Sequence, residues 1–376
     1  MIRPKLLYFI TEDWYFCSHR LPLALAARAA GYEVAVVTNV NEHEETIRRA
    51  GIRLIPFSLS RRGMNLVSEL AVLAQLFLLY RREKPDLVHQ VAMKPVLYGS
   101  LVARLSGVPH VVNALAGLGY VFTSDQPKAR ILRPVIASAF LGLLNSRRSR
   151  LILQNMDDCA KFIRKRFISE ERIRLIRGSG VDTAAFSPTP EPSGIPVIVL
   201  ASRMLWDKGI KEFVEAARQL KDRGINTRFV LVGNTDLHNP SAIPNEQLTD
   251  WHTEGVVEWW GRRDDMPAVF EQSHIVCLPS YREGLPKVLL EAASCGRAIV
   301  TTDTPGCREV VRNGENGLLV PMRSTAELAD ALQLLIEKPG LRKKMGARGR
   351  EIVVSEFAVE KVVSETMAVY RELLEQ

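Results

Sequence analysis

Short apolar runs rich in β-branched residues alternate along the whole chain with segments of helical periodicity. Runs of four to six such residues are typical of strands buried on both faces, and strands that alternate with helices are typical of parallel sheets. The pattern starts near the N-terminus and starts again after a proline-rich break near residue 190. It predicts an α/β fold with two parallel sheets, each covered by helices.

The predicted strands fall into two groups. In the first half of the chain they are residues 5–10, 33–38, 53–57, 87–91, 110–114, 151–154 and 173–177. In the second half they are residues 196–201, 228–232, 256–258, 275–278, 298–302 and 317–320. Each group is large enough to form one doubly wound sheet, and ligands of such sheets bind at the carboxyl ends of the strands.

The break between the two groups is residues 187–196, which contain four prolines. Proline lacks the amide donor that a central strand needs, so this segment cannot continue either sheet. We interpret it as an interdomain linker. The predicted domains are residues 1–187 and 188–357, two Rossmann-like units that face each other across a cleft.

The composition of the 376 residues is that of a globular protein, with 47% hydrophobic residues, 24% charged residues, 20 Pro and 24 Gly. Collagen-like, coiled-coil and disordered classes are excluded. The N-terminus has no secretory signal pattern, and the uncharged stretch 105–124 is broken by Pro109 and glycines, so we expect a cytoplasmic protein without a transmembrane helix. The five cysteines never show C-x-x-C spacing, which argues against disulfides or a zinc site.

Charge is distributed unevenly along the chain. Residues 1–192 carry a net charge of +11 and residues 193–376 a net charge of −3. A basic half suggests contact with an anionic partner, such as phospholipid, a lipid diphosphate or nucleic acid. A solvated surface with surplus arginine is the alternative.

Two segments of the basic half, residues 65–80 and 131–144, are more apolar than a surface helix requires, and cations flank both of them. Apolar helices with basic ends can lie in a membrane interface, where the cations meet anionic head groups. Ordinary buried helices would show the same composition. The sequence leaves both interpretations open.

The strongest candidate site follows the predicted strand 275–278. Glu283 lies in a loop, the turn Gly284-Leu285-Pro286 comes next, and a helix begins that carries Glu291 in its second turn. A helix start directs backbone N–H groups and the positive end of the helix dipole toward a ligand, which favours an anion such as a diphosphate. The two carboxylates are placed to accept hydrogen bonds from sugar and ribose hydroxyls.

A second candidate site follows the predicted strand 196–201. Arg203 and Lys208 flank a short loop that ends at Gly209. Two cations at the carboxyl end of a strand can hold a diphosphate, and their charge would stabilise the negative charge that develops on a leaving phosphate.

Several common patterns are absent from the sequence. It contains no Asp-x-Asp pair, no P-loop and no G-x-G-x-x-G after the first strand. Nicotinamide and ATP chemistry are therefore disfavoured, and no cluster has metal-ligand spacing. We expect no cofactor and no divalent metal, because Arg203 and Lys208 would supply the positive charge.

At these residues the chain resembles the retaining glycosyltransferases of family 4, which have the GT-B arrangement of two facing Rossmann-like domains. Its Glu-x7-Glu motif matches Glu283 and Glu291, and its Arg…Lys-Gly motif matches Arg203, Lys208 and Gly209. The motif Gly178-Ser179-Gly180-Val181-Asp182 matches as well. Residues 19–22, 204–209 and 257–267 resemble the subgroup that builds bacterial O-antigen, capsule and lipid-linked glycans.

The resemblance implies transfer of an N-acetylated hexose from a UDP-sugar to a saccharide on undecaprenyl diphosphate. The second domain would bind the donor, and the last helix, residues 358–376, would pack on the first domain. The residues implied for donor binding and catalysis are Glu283, Arg203, Lys208, Gly284, Leu285, Pro286, Lys287, Glu291 and Arg262. The departing phosphate would take the proton of the acceptor. The enzyme would work at the inner face of the plasma membrane, with no nucleic acid as partner.

Acceptor recognition is expected in the basic first domain, through the loop 13–20 and residues 113–120. The candidate residues are His19, Arg20, His89 and Asn113. Many family members carry a glycine-rich loop after the first strand and a histidine after the fifth, and this chain has neither. His89 is a substitute for that histidine only if its side chain is not a buried structural group.

Two other functions fit the same residues less well. A nucleotide-sugar epimerase or a phosphorylase would use the same fold, and would form product without a saccharide acceptor. A nucleic-acid-binding protein would use the basic half, but no aromatic side chains are interleaved with its cations and no nucleic-acid motif is present.

Overall fold

The computed structural model describes residues 3–60, 65–117, 127–236 and 239–375. The chain forms two compact units, Met1–Ser179 together with Glu360–Gln376, and Gly180–Val359. Each unit is a parallel sheet between two layers of helices. Part of the predicted acceptor segment 113–120 lies outside the described residues.

The sheet of the first unit has the strand order β3-β2-β1-β4-β5-β6-β7. Its strands are β1 (Lys5–Glu12), β2 (Glu33–Asn39), β3 (Arg53–Pro56), β4 (Leu87–Val91), β5 (His110–Leu115), β6 (Ser149–Leu153) and β7 (Ile173–Leu175). All predicted strands of this half are confirmed, with ends shifted by no more than two residues.

Helices cover both faces of this sheet. One face carries α1 (Asp13–His19), α2 (Leu21–Ala29), α3 (Glu44–Arg49) and the C-terminal helix. The other face carries α4 (Leu66–Glu83), α5 (Met93–Ser106), α6 (Pro127–Leu144) and α7 (Met156–Arg164). Successive residues of β1 alternate between the two cores, which explains why the strands are apolar on both sides.

The segment predicted as the loop 13–20 is helix α1, so that prediction is wrong. Asp13 is fully buried at the start of the helix. Its carboxylate accepts hydrogen bonds from the amides of Trp14, Asn41 and His43 at 2.7, 2.6 and 3.0 Å. A carboxylate in the first turn stabilises a helix of low intrinsic propensity and ties it to the segment after β2.

The apolar segment 65–80 lies in helix α4, which buries one of its apolar faces in the core and exposes another. Leu76 and Leu79 lie in the core with 0% and 7% exposure. Val67 and Leu78, in contrast, are 74% and 66% exposed. In the part of the chain that the structure describes, no helix has both the length and the apolarity needed to cross a bilayer.

The sheet of the second unit has the strand order β10-β9-β8-β11-β12-β13. Its strands are β8 (Val197–Ala201), β9 (Arg228–Val232), β10 (Glu258–Trp259), β11 (Ile275–Leu278), β12 (Ala298–Thr302) and β13 (Gly317–Val320). The helices are α8 (Ile210–Asp222), α9 (Asn245–Thr253), α10 (Met266–Glu271), α11 (Lys287–Ser294), α12 (Cys307–Val310), α13 (Thr325–Glu337) and α14 (Pro339–Glu356). Every predicted strand of this half forms, and β10 is displaced toward Trp259.

The division between the units falls at Gly180, ahead of the predicted boundary at residue 187. Val181 forms a β-bridge with Ala358, and Phe186 packs against the core of the second unit. These contacts assign residues 180–187 to the second unit.

The proline-rich segment 187–196 also belongs to the second unit, so its interpretation as a linker is wrong. Arg297, which is 1% exposed, donates hydrogen bonds to the carbonyl oxygens of Thr189 and Pro190. Arg342 forms an ion pair with Glu191 at 2.8 Å. The prolines keep this segment out of the sheet, and two buried guanidinium groups hold it against the unit.

The C-terminal helix α15 (Val359–Leu374) packs on the sheet of the first unit. The hydroxyl group of Tyr370 lies 2.5 Å from Nδ1 of His89 and 3.1 Å from the hydroxyl group of Tyr8. All three side chains are fully buried. Burial, aided by the charge of Arg20, holds the pKa of His89 well below its usual range, so His89 is neutral in the folded protein.

This buried histidine predicts a loss of stability in acid. The pKa of His89 is lower in the folded than in the unfolded chain, so below about pH 6.5 the unfolded chain binds the extra proton. Stability is then lost as the pH falls, by up to about 1.4 kcal/mol per pH unit. We expect the melting temperature of wild type to fall more between pH 7 and pH 5.5 than that of His89→Gln. Equal slopes for the two proteins would contradict this assignment.

Candidate functional site

The candidate site lies at the carboxyl edge of the second sheet, where the strand order reverses. Strands β9 and β10 extend to one side of β8, and β12 and β13 extend to the other side of β11. In a doubly wound sheet, ligands bind outside the carboxyl ends of the strands at such a switch point. The loop after β8 contains Arg203 and Lys208, and the loop after β11 contains Glu283.

These two loops are packed together through their backbones. A short 3-10 turn, Trp206–Lys208, follows β8, and Gly209 then adopts a left-handed conformation with φ +71° at the start of α8. A Cβ on Gly209 would lie 2.1 Å from the carbonyl oxygen of Pro279. The amide of Tyr281 donates a hydrogen bond of 2.9 Å to the carbonyl oxygen of Asp207. Glycine is thus required where the loops approach most closely.

This packing brings Lys208 and Glu283 together. The Nζ atom of Lys208 lies 2.5 Å from Oε1 of Glu283, and the side chains are only 19% and 13% exposed. The loop after β12 supports Glu283 from its other side, because a Cβ on Gly306 would lie 2.7 Å from the Glu283 carbonyl oxygen. Three successive strand ends therefore define the position of this ion pair.

Helix α11 begins directly after the Gly284-Leu285-Pro286 turn, as predicted. Its first residue, Lys287, lies 3.4 Å from Glu291 one turn later. The side chain of Glu291 is 12% exposed, and burial raises the pKa of its carboxyl group, while the Lys287 ammonium opposes the shift. A carboxylate shielded from water in this way is a strong acceptor for hydroxyl groups that enter the site.

Arg203 and Arg262 lie at the same edge, nearer to the edge strand. Arg203 forms an ion pair of 2.8 Å with Asp236, which follows β9, and is 45% exposed. The amide of Arg262 donates to the side chain of Asn234, and its guanidinium contacts Asp264 at 3.2 Å. The structure thus brings all the predicted second-domain residues to one edge, with Lys208 and Glu283 in direct contact.

A cluster that supports the Glu283 loop was missed from the sequence. The Tyr281 hydroxyl donates a hydrogen bond of 2.8 Å to Glu212 on α8, whose side chain is buried. The guanidinium of Arg323 lies 4.6 Å from the centroid of the Tyr281 ring. The sequence signal for this cluster is Glu212, a charged residue within the apolar face of α8. A buried carboxylate needs a polar partner, so a partner for Glu212 could have been expected.

The predicted acceptor residues of the first unit do not form one site. His89 and Asn113 are both fully buried, so neither side chain is exposed for the predicted acceptor contact. The Asn113 side chain accepts a hydrogen bond from Ser100 and donates one to Ser149. Both residues lie on central strands that helices cover on either side, which shields their side chains from solvent.

Two of the acceptor candidates lie at the end of α1. The His19 ring stacks on the ring of Tyr15, with centroids 4.1 Å apart, and is partly exposed. Arg20 is 4% exposed, and its Nε atom has no hydrogen-bond partner among the described residues. His19 is therefore accessible to a ligand, whereas Arg20 is largely enclosed.

Among its described residues, the site contains no candidate metal centre. Across the ranges that the structure describes, no three His, Cys, Asp or Glu side chains are grouped closely enough to hold a metal ion. Its positive charge comes from side chains and from the start of α11. A cation, a shielded carboxylate and a helix start at a sheet switch point are features of α/β proteins that bind phosphates and nucleotides.

Comparisons with known proteins place the chain within that class. Residues 5–155 match the family described as glycosyl transferase 4-like, and residues 195–338 match glycosyl transferases group 1. The chain belongs to this family of glycosyltransferases.

Two curated relatives span most of the chain. The N,N'-diacetylbacillosaminyl-diphospho-undecaprenol alpha-1,3-N-acetylgalactosaminyltransferase of Campylobacter jejuni is 31% identical and covers 86% of this chain and 87% of its own. The UDP-Gal:alpha-D-GlcNAc-diphosphoundecaprenol alpha-1,3-galactosyltransferase of Escherichia coli is 26% identical, with 83% and 82% covered. The chain is a glycosyltransferase.

The fold is that of the GT-B enzymes. The structure of HepE from Anabaena in complex with UDP and glucose matches with a TM-score of 0.78 over 98% of this chain and 100% of the other, at 18% sequence identity. The predicted fold class is confirmed.

Proposed function

We propose that this glycosyltransferase transfers an N-acetylated hexose from a UDP-sugar to a saccharide carried on undecaprenyl diphosphate, with retention at the anomeric carbon and without a divalent metal. The names of both curated relatives contain a diphospho-undecaprenol acceptor and an alpha linkage. The observation that carries the proposal is the Lys208–Glu283 ion pair at the switch point.

Lys208 and Arg203 hold the donor diphosphate in this proposal. The Lys208 ammonium is largely shielded from water, so its attraction to a phosphate is stronger than that of an exposed lysine. Arg203 is more exposed and exchanges Asp236 for a phosphate oxygen. The start of α11, at Lys287, adds the positive end of the helix dipole.

The carboxylates bind the hydroxyl groups of the donor. Glu283, with the backbone of Gly284, Leu285 and Pro286, holds the sugar, and Glu291 holds the ribose. Arg262 lies after the edge strand β10 and is assigned to the nucleotide. A phosphate that draws the Lys208 ammonium away from Glu283 frees the Glu283 carboxylate to bind the sugar. Each charged group thus exchanges one partner for another, and donor binding leaves no charge unpaired.

The transfer itself needs no protein nucleophile. The acceptor hydroxyl oxygen forms a bond to the anomeric carbon on the same face from which the UDP phosphate oxygen departs. The hydroxyl proton passes to that phosphate oxygen, and Lys208 and Arg203 stabilise the charge that develops on it. No general base is assigned.

The first unit selects the acceptor. His19 at the end of α1 is partly exposed and is assigned to the acceptor, with the buried Arg20 as its neighbour. A lipid-linked acceptor places the enzyme peripherally at the cytoplasmic membrane surface, without nucleic acid as partner.

Thermal unfolding with UDP, GDP and ADP in the presence of EDTA tests the donor assignment. We expect UDP to raise the melting temperature of wild type by mass action, and EDTA to leave this shift unchanged. Lys208→Ala is expected to lose most of it, whereas Lys211→Ala, on the exposed side of α8, keeps it. A shift that EDTA abolishes contradicts the metal-free site, and the absence of a shift with any nucleotide contradicts the donor assignment.

A further inference from the structure

Tyr281 lies two residues before Glu283 and links the Glu283 loop to the segment that carries Lys208. Its backbone amide donates a hydrogen bond of 2.9 Å to the carbonyl oxygen of Asp207, and its hydroxyl group donates one of 2.8 Å to Glu212. Asp207 directly precedes Lys208, and Glu212 lies in the first turn of α8. One residue therefore joins the Glu283 loop to this segment on both sides of Lys208.

The carboxylate of Glu212 depends on this contact. Glu212 is 8% exposed, and its Oε2 atom has no hydrogen-bond partner among the described residues. For Oε1, the Tyr281 hydroxyl is the one hydrogen-bond partner that the described part of the chain provides. Because a buried carboxylate without a donor is costly, the folded protein is strongly biased toward the conformation that keeps this hydrogen bond.

The Tyr281 hydroxyl is suited to this role because it keeps its proton. Burial, together with the hydrogen bond to the Glu212 carboxylate, raises the pKa of Tyr281 to about 12. The hydroxyl is thus a donor throughout the neutral pH range. A hydrogen bond from a hydroxyl to a carboxylate is stronger than one between neutral groups, so the side chain of Tyr281 is held firmly.

A third loop contacts the face of the Tyr281 ring. Arg323 follows β13, and its guanidinium lies 4.6 Å from the ring centroid, within the range of a cation–π contact. The backbone of Arg323 is left-handed, with φ +60°, which is unfavourable for a residue with a Cβ. Such conformations persist where surrounding contacts stabilise them, and they are common near functional sites. The ring is therefore held at its hydroxyl group and at its face.

We infer that Tyr281 is a positioning residue, whose hydroxyl group sets the position of Glu283 relative to Lys208 and thereby determines how the donor sugar is held. The inference rests on the proposed function, in which Glu283 binds the sugar and Lys208 binds the phosphate. Lys208 follows β8 on its own loop, so loss of the hydroxyl shifts Glu283 more than Lys208. Binding of the UDP part of the donor is retained, and the alignment of the sugar for transfer is lost.

Tyr281→Phe tests the inference, because it removes the hydroxyl group and keeps the ring under Arg323. Calorimetry with UDP and turnover with UDP-GlcNAc and UDP-GalNAc are measured on the same protein. We expect the Kd for UDP to stay within about twofold of wild type and kcat to fall by a factor on the order of ten to a hundred. Unchanged kcat would overturn the positioning role. Losses of UDP affinity and kcat by the same factor would indicate direct contact with the nucleotide and would overturn it as well.

Three further variants separate positioning from stability. Glu212→Gln keeps an acceptor for the hydroxyl group and is expected to retain most of kcat. Glu212→Leu breaks the same hydrogen bond from the α8 side without leaving an unpaired charge, and is expected to lose kcat as Tyr281→Phe does. The matched control is Tyr98→Phe, which removes a hydroxyl group that donates to Glu69 at 2.7 Å in the first unit. It is expected to lower the melting temperature but not kcat, and a similar fall of kcat in this control would contradict the inference.

A measurement without donor separates this inference from the proposed function. The coupling between Lys208 and Glu283 is obtained from urea unfolding of Lys208→Ala, Glu283→Gln and the double variant, and again with each combined with Tyr281→Phe. We expect the coupling to be weaker when the Tyr281 hydroxyl is absent. Undiminished coupling would overturn the positioning role. Absence of UDP binding by wild type would count against the donor assignment, while the coupling would still decide whether Tyr281 positions Glu283.

Discussion

Replacing Lys208 with alanine is expected to lower turnover by a factor on the order of a hundred or more, because one preorganised charge opposite a leaving group contributes a few kcal/mol. The ammonium group lies in a shielded position, with 19% of the side chain exposed, so bulk water cannot replace it. Steady-state and single-turnover rates with UDP-sugar and a short-chain lipid-linked acceptor measure the effect. Unchanged turnover would contradict the role of Lys208 at the phosphate.

The same substitution also affects stability, and this effect must be separated from the effect on turnover. Loss of Lys208 leaves the Glu283 carboxylate largely buried without its partner, which is expected to cost about 1–3 kcal/mol of stability. The double variant Lys208→Ala/Glu283→Gln removes this unpaired charge. Because Glu283 also binds the sugar, the double variant is compared with Glu283→Gln. If Lys208 acts on the leaving phosphate, the double variant recovers melting temperature but turns over far more slowly than Glu283→Gln. If the two turn over equally fast, Lys208 serves only to neutralise Glu283.

The order of strands along the chain could be predicted from sequence because the central strands are buried on both faces and therefore form apolar runs without alternation. The bounds of strand β10 are predicted least accurately. This edge strand has only two residues, Glu258 and Trp259, which is too short for a periodic pattern of apolar positions. Helix α1 was mistaken for a loop because its stability depends on hydrogen bonds from the segment near residue 41 to Asp13. Local propensity does not contain such contacts.

The site could be predicted only in parts. Motifs separated by 75 residues identified Lys208 and Glu283. Their contact depends on the adjacency of β8 and β11, which follows from the strand order rather than from any local pattern. The same limitation explains why the burial of His89 could not be predicted, since the residue that covers it, Tyr370, lies 281 residues further along the chain. Whether a side chain can bind a ligand or lies in the core therefore depends on residues that are far away in sequence and come next to it only in the folded protein.

The glycine between the two loops is expected to be as important as the charged residues. Gly209→Ala places a Cβ 2.1 Å from the Pro279 carbonyl oxygen at a position where φ is +71°. We expect the free energy of unfolding to fall by at least about 3 kcal/mol, the sum of a left-handed backbone penalty and a clash with rigid backbone. Urea unfolding of the second unit, followed by tryptophan fluorescence, measures the loss.

Gly224→Ala is the matched control for this prediction. Gly224 has φ +75°, nearly the same as Gly209, but a Cβ there would meet nothing within 4 Å. Its substitution is expected to cost only the backbone penalty, about 1–2 kcal/mol. A similar loss in both variants would show that the close approach of the loops is not a constraint. If Gly209→Ala alone also loses the UDP-induced thermal shift, the backbone contact between Gly209 and Pro279 is what holds Lys208 within reach of Glu283.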